Sequence, residues 1–293
     1  MFNLNRMSNR APLFRKVTIV GVGLIGGSLG MAIKKNNLAR EVVGISQKSS
    51  SLANAVKNNV IDHAASDIKT AVLNADLVIL ATPVKTIINI LSTIGPHLRR
   101  HCIVTDVGST KEAIVDAAHK YLHPHILFVG SHPLAGSEKR GSNYANPDLF
   151  QGATCIMTPT EQTNRLAKEK VKHFWTNIGC QVKMLKPEEH DKVVSYISHL
   201  PHLAAFAMMG VTPSEFLEYS AQGLKDTTRI ASSSAQMWND ICMVNNRNII
   251  KALDEFVKNL SIFRKAIISK DEHGLVDYFE KAKAKRDSLD KNG

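Results

Sequence analysis

The chain is short of cysteine, aromatic residues, acidic groups and long apolar runs, and each shortage excludes something. Its four cysteines, Cys102, Cys155, Cys180 and Cys242, stand far apart with no CxxC pair. Neither a zinc site nor a disulfide framework is expected, and they read as reduced, mostly buried thiols. No apolar stretch reaches the roughly 18 residues a membrane helix needs, and Met1 to Pro12 lacks the apolar core of a signal peptide. A cytoplasmic protein is expected, with no membrane partner. Asp and Glu number 26 against 37 Lys and Arg, a formal charge of +11. That excess suits nucleic acid, yet the basic residues are dispersed and aromatics make up only 6 % of the chain, too few for a stacking platform. An anionic small-molecule substrate and cofactor fit the charge better. The densest basic run, residues 281–286, ends a helix-patterned tail and reads as a solvated helix end, where cations suit the dipole. There is no internal repeat or low-complexity segment.

What is present begins with Gly21-Val22-Gly23-Leu24-Ile25-Gly26, directly behind the apolar run Val17-Thr18-Ile19-Val20 and ahead of a helix-patterned stretch. Strand, glycine turn and helix in this order predict a nicotinamide or flavin nucleotide site, the alternative being a turn that serves packing only. Gly21 makes the tight turn, Gly23 lets the backbone approach a pyrophosphate, and Gly26 allows close packing of helix on strand. With Leu24 and Ile25, these residues are the expected phosphate site at a helix N-terminus. The acid that usually grips the ribose about 20 residues on is missing from Val42-Val43-Gly44-Ile45-Ser46-Gln47-Lys48-Ser49-Ser50. An acid there would repel a 2′-phosphate, whereas Ser46 and Lys48 are suited to binding one, so NADP is favoured over NAD.

Short apolar runs alternate with helical patterns through residue 186: Leu77 to Ala81, then Pro83 and a helix to Ile94, Cys102 to Thr105, and Ile126 to Val129. Two further runs, 153–157 and 181–185, flank a helix over 161–178 and extend the sheet. The expected fold is α/β, a Rossmann-type doubly wound, mostly parallel sheet, with ligands beyond the strand carboxyl ends. Thr82, Pro83 and Asp106 at those ends are expected to complete the cofactor site. After Pro187 strand patterns stop, and 188–288 reads as helix with apolar stripes, as at Ile249, Leu253, Phe256 and Leu260. The expected domains are a disordered extension over 1–12, a dinucleotide-binding domain over 13–186, and an all-α substrate and dimerisation domain over 187–293. So many apolar stripes on about 100 residues point to a homodimer.

His132, at the carboxyl end of a strand in Gly130-Ser131-His132-Pro133-Leu134-Ala135-Gly136, is the candidate base. A hydride cannot leave an alcohol carbon unless the hydroxyl proton is also accepted, and imidazole suits that work. His199 and His202 share a helix face but have no fitting third ligand, so no metal is expected.

The glycine turn, Asp106-Val107-Gly108-Ser109-Thr110-Lys111 and Gly130 to Gly136 together resemble the prephenate and arogenate dehydrogenases of tyrosine biosynthesis. Ser198-His199-Leu200-Pro201-His202, the run from Gly223 to Ala231, and Met237-Trp238 resemble that family's helical-domain motifs in the same order. The resemblance spans roughly residues 16 to 285 and implies oxidative decarboxylation of a cyclohexadienyl acid with hydride transfer to NAD(P). It gives His132 the role of accepting the ring hydroxyl proton and Ser109 that of orienting hydroxyl and nicotinamide. It also implies that Arg229 binds a substrate carboxylate, with His202 and Ser198 near the substrate, and Trp238 is expected either to close the pocket or to be a buried core residue. Lys225 is expected one helical turn from Arg229, and Lys111 is expected to be a solvated helix residue. The length is expected to leave no room for an added regulatory or mutase domain, so any tyrosine inhibition would act within the two domains. Two alternatives stand beside this reading. One is a 3-hydroxyacid dehydrogenase of the same two-domain plan using Lys192; the other is a non-catalytic nucleotide-binding interaction protein.

Overall fold

The first strand, β1 (Phe14–Val20), is buried on both faces, with Val17, Thr18 and Ile19 inaccessible to solvent. The one polar side chain among those three, Thr18, donates its hydroxyl to the Ala71 carbonyl at 2.8 Å, so its burial leaves no orphan. The structure is a computed structural model that describes residues 11–47, 49–136 and 141–290. After β1 come α1 (Leu24–Lys35), β2 (Ala39–Ile45), α2 (Ser49–Lys57), β3 (His63–Ala64), α3 (Ile68–Val72), β4 (Leu77–Leu80) and α4 (Val84–Ile94). They are followed by β5 (Ile103–Asp106), α5 (Glu112–Tyr121), β6 (Leu127–Pro133), β7 (Thr154–Thr158), α6 (Arg165–Asn177) and β8 (Gln181–Met184).

One sheet of eight strands runs β3-β2-β1-β4-β5-β6-β7-β8. Chain order reverses between β1 and β4, which opens a crevice at the carboxyl ends of those two strands. Alternation along β4 sends Leu77 and Ile79 to one apolar core and Val78 and Leu80 to the other. Phe174 and Trp175 of α6 meet edge to face at 5.2 Å and are fully buried in the first core. Each such side chain contributes on the order of 1.5–3 kcal/mol by leaving water.

The sheet is parallel except where β7 runs antiparallel to β6, pairing Ile156 with His132. The apolar runs placed this strand in the sheet without giving its direction. A parallel return normally needs a crossover helix, and the connection over 134–153 contains only a short 3₁₀ turn among its described residues.

Beyond the sheet lie α7 (Pro187–Val194), a π-helical turn over Ser195–His199, α8 (Leu200–Val211), α9 (Gln222–Thr228) and α10 (Ala235–Val244). Pro201 lacks the N–H that would continue the α ladder at the start of α8, and the widened turn stands just before it. The last two helices are α11 (Asn246–Ser269) and α12 (Glu272–Asp290). The chain separates into two compact units, Met1–Asn246 and Arg247–Gly293. Within the second, Phe263 meets Tyr278 edge-on at 4.6 Å. Lys281–Asp277 and Lys283–Asp287 pair along α12 at 2.6 Å each, so the basic tail is partly balanced in place. None of the described helices is long and apolar enough to cross a membrane. The expected extension over 1–12 lies almost wholly outside the described residues.

Candidate active site

Each glycine of the turn meets a distinct steric demand. Gly21 has φ +101°, and a Cβ there would come within 2.5 Å of the Ala81 carbonyl oxygen. A Cβ on Gly26 would overlap the Gly21 carbonyl oxygen, whereas one on Gly23 would meet nothing within 4 Å. Gly21 and Gly26 are therefore packing glycines, and Gly23 keeps a face open. Gly23 is also the N-cap of α1 and offers no side-chain cap, which leaves the first N–H groups of the helix to a ligand. Nearby, the Thr82 hydroxyl is buried with no hydrogen-bond partner among the described residues. An open backbone face, a helix N-terminus and an orphaned hydroxyl together fit the phosphate and ribose groups of a dinucleotide.

The crevice widens into a cleft of about 670 Å³, within the range of small-molecule sites. Gly23, Leu24, Ile25, Thr82 and Pro83 line one part, and Ser109, His132, Ser198, His202, Arg229 and Trp238 line the other. Residues from α1, the turns after β4 and β5, β6, the π turn, α8 and α10 thus meet in one space, although Gly23 and Trp238 stand 215 positions apart in sequence. Trp238 is 5 % exposed and stacks on the His202 ring at 4.0 Å between centroids. His202 donates from Nδ1 to the Ser198 carbonyl at 2.9 Å, which turns its Nε2 away from that bond.

Several expected site residues lie elsewhere. Gly21 and Gly26 act through packing, and Ser46 does not line the cleft. Lys48 lies outside the described residues. Lys225 is exposed and also outside the cleft, because the buried side of α9 is Thr228 and Arg229 begins a separate 3₁₀ turn. Asp106 does not line the cleft. It is fully buried, with Oδ2 accepting from the Gly108 N–H at 2.8 Å and Oδ1 from the Ser131 N–H at 3.2 Å. Its third partner is the Lys111 ammonium, which has no solvent exposure. The expectation of a solvated Lys111 fails for a physical reason: the turn after β5 folds the lysine back over the carboxylate five residues earlier. Lys192, the amine required by the hydroxyacid alternative, is exposed and outside the cleft.

Two functional-looking residues were not singled out from sequence. His132 Nδ1 lies 2.8 Å from His190 Nε2, and His190 Nδ1 lies 2.8 Å from Asp191 Oδ1. Asp191 also accepts the Lys111 N–H at 2.6 Å and the Glu112 N–H at 3.1 Å, which fixes it to the start of α5. Asn245 donates to the Asp191 carbonyl at 2.8 Å and sits 3.2 Å from His199 Nδ1. Burial is the main reason that His132 is held well below the usual histidine range, helped by His190, Lys111 and His199. Burial also lowers His190, against the opposing pull of Asp191, and pushes His199 down to about 4. All three rings are neutral at neutral pH.

The family model described as "Prephenate dehydrogenase, nucleotide-binding domain" matches residues 29–184. A second, "Prephenate dehydrogenase, dimerization domain", matches residues 186–281. The chain is 38 % identical to a prephenate dehydrogenase of Bacillus subtilis over 280 residues, covering 93 % of this chain and 76 % of that protein. It is 32 % identical to a cyclohexadienyl dehydrogenase of Zymomonas mobilis, covering 94 % and 97 % of the two chains. A crystal structure of prephenate dehydrogenase from A. aeolicus in complex with hydroxyphenyl propionate and NAD+ superposes with a TM-score of 0.87 at 34 % identity, covering 94 % and 98 %. The glycine crevice, the histidine-lined cleft and these matches over nearly the whole length converge: the chain belongs to the prephenate dehydrogenase family.

Proposed function

We propose that the chain oxidatively decarboxylates prephenate to 4-hydroxyphenylpyruvate. The observation that carries this reading is that Ser109, His132 and Arg229 line one cleft with the open N-terminus of α1. When bound, the nicotinamide of the dinucleotide accepts the hydride. His132 takes the proton of the ring hydroxyl, which lets the C–H electrons leave as hydride. Ser109 orients that hydroxyl, and Arg229 holds a carboxylate with a planar guanidinium suited to bidentate pairing. Loss of carbon dioxide from the quaternary ring carbon makes the ring aromatic and drives the step forward. Ser198, His202 and Trp238 shape the apolar side of the ring site.

Two finer choices belong to the same reading. We favour the keto acid over its amino counterpart, because Arg229 is the only Lys, Arg, Asp or Glu among the described cleft-lining residues, and no carboxylate there matches an ammonium group. We favour NADP over NAD, because the segment after β2 carries Ser46, Lys48 and Ser49 and no acid. The functional boundary falls between residues 186 and 187, and the protein works in the cytoplasm as a homodimer. Exposed Val257, Leu260, Ile267, Ile268 and Phe279 on α11 and α12 supply apolar surface for a second copy.

The test is a two-by-two assay of purified protein with prephenate or arogenate against NAD or NADP, following the reduced nicotinamide. Prephenate with NADP is expected to give the highest kcat/KM. His132→Asn is expected to lower turnover by at least about 100-fold while dinucleotide affinity stays within a few-fold. Near-normal turnover by that variant would refute the assignment of the base.

A further inference from the structure

We propose that His190 and Asp191 are positioning residues for His132, fixing its tautomer and steadying the charge it gains with the hydroxyl proton. This rests on the reading of His132 as the base. The tautomer follows from acceptors and donors alone. An ionised carboxylate only accepts, and Asp191 Oδ1 already takes the Lys111 N–H at 2.6 Å, so the 2.8 Å contact with His190 places a proton on His190 Nδ1. Neutral His190 then has only a lone pair at Nε2. Its 2.8 Å contact with His132 Nδ1 is a hydrogen bond only if His132 carries its proton there. The nitrogen left as a base is His132 Nε2, on a ring that lines the cleft. A neutral His132 with its proton on Nε2 would set lone pair against lone pair, and the alternative of a charged His190 would place that charge on a ring with no solvent exposure.

The charge follows the same path. The titratable groups around His132 are His190 and Asp191 on α7, Lys111 and Asp106 at the turn between β5 and α5, His199 on the π turn, and Cys155 on β7, whose thiol burial holds in its neutral form. Lys111 and the two other histidines oppose a positive charge on His132, and Asp106 is committed to Lys111. Asp191 is the carboxylate linked to His132 through a ring, and its two bonds to backbone N–H groups at the start of α5 keep it in place. As His132 Nε2 takes the proton, its Nδ1–H bond to His190 tightens, and His190 in turn leans on Asp191. No proton need pass along the chain.

The experiment compares wild type, His132→Asn, His190→Leu, His190→Gln and Asp191→Asn. The measurements are kcat and KM for prephenate across pH, dinucleotide affinity, and thermal midpoint. His190→Leu is expected to lose at least about 100-fold in kcat, with KM and dinucleotide affinity within about 3-fold of wild type. Gln in place of His190 offers an oxygen to His132 Nδ1–H and an amide to Asp191, so His190→Gln is expected to recover at least about 10-fold of that loss. Asp191→Asn, close to isosteric, is expected to lower kcat and move the acid limb of the kcat profile about one unit to lower pH, because the imidazolium has lost its counter-charge. A kcat within about 3-fold of wild type in His190→Leu, or an unmoved acid limb in Asp191→Asn, overturns the proposal. Should His190→Leu fail to fold, that limb decides alone. Near-normal turnover by His132→Asn would instead sink the base assignment, and the relay with it.

Discussion

Lowering the pH from 7.5 to 5 is expected to destabilise the folded chain steeply, and the size of the effect can be worked from His199. Its ring has no solvent exposure, and burial pushes it down to about 4. In the unfolded chain the same ring titrates near 6.5. Between those values the unfolded state binds a proton that the folded state refuses, so stability is full above about pH 6.5 and falls as the pH drops toward the folded value. At pH 5 the difference amounts to about 2 kcal/mol from His199 alone. His132 and His190 are lowered by burial as well and act in the same direction. Urea unfolding at a series of pH values measures the slope, expected to correspond to the uptake of about two protons or more at pH 5, or roughly 3 kcal/mol per pH unit. His199→Gln removes one of the titrating rings and is expected to flatten the curve by about 2 kcal/mol over this interval. A stability that stays level between pH 7.5 and 5, or a His199→Gln curve parallel to wild type, would refute the reasoning.

Two further outcomes follow from the buried pair and from the cleft. Lys111→Met leaves the Asp106 carboxylate buried with only its two N–H partners and is expected to cost about 3–5 kcal/mol. Calorimetry would then show the thermal midpoint lower by about 10 °C, and a shift under about 3 °C would mean that the pair contributes little. Arg229→Gln removes the guanidinium from the cleft and is expected to raise KM for prephenate by about 10-fold or more, with dinucleotide affinity unchanged. Steady-state kinetics check this, and an unaltered KM would remove Arg229 from the substrate's carboxylate.

The parts of the fold that could be read from the sequence are those written in local pattern. Leu77 to Leu80 is a run of four apolar residues followed by Thr82-Pro83, and it became a buried central strand with its polar end at the crevice. The glycine turn was legible because strand and helix flank it. Strand direction is not local: β7 reads like its parallel neighbours, and its reversal depends on a connection without a helix. β3, two residues long, has no pattern to find. Charge was misread where burial decides. Lys111 looked like any helix-start lysine, since its enclosure depends on how the turn after Asp106 closes. His190 and Asp191 stand in Pro187-Glu188-Glu189-His190-Asp191, which reads as the ordinary acidic first turn of a helix. Their meaning lies in contacts 58 and 80 positions away, with His132 and with the Lys111 amide, and one sequence carries no trace of those.

Acid sensitivity and base strength are tied together in this site. A base must be neutral before it can accept a proton, and the burial of His132 beside Lys111 keeps it so. Yet a histidine lowered too far is a poor proton acceptor, because proton-transfer efficiency falls as the catalytic group departs from the working pH. Two carboxylates flank the β5–α5 turn and oppose that drift in different ways. Asp106 neutralises the Lys111 ammonium directly, which limits its repulsion of an imidazolium. Asp191 reaches His132 through His190 and becomes more valuable as positive charge grows on His132. The first sets the resting environment, and the second favours the state in which the proton has moved. Only the second distinguishes ground state from transition state, so removing Asp191 is expected to act on kcat, whereas removing Lys111 acts first on the stability of the fold.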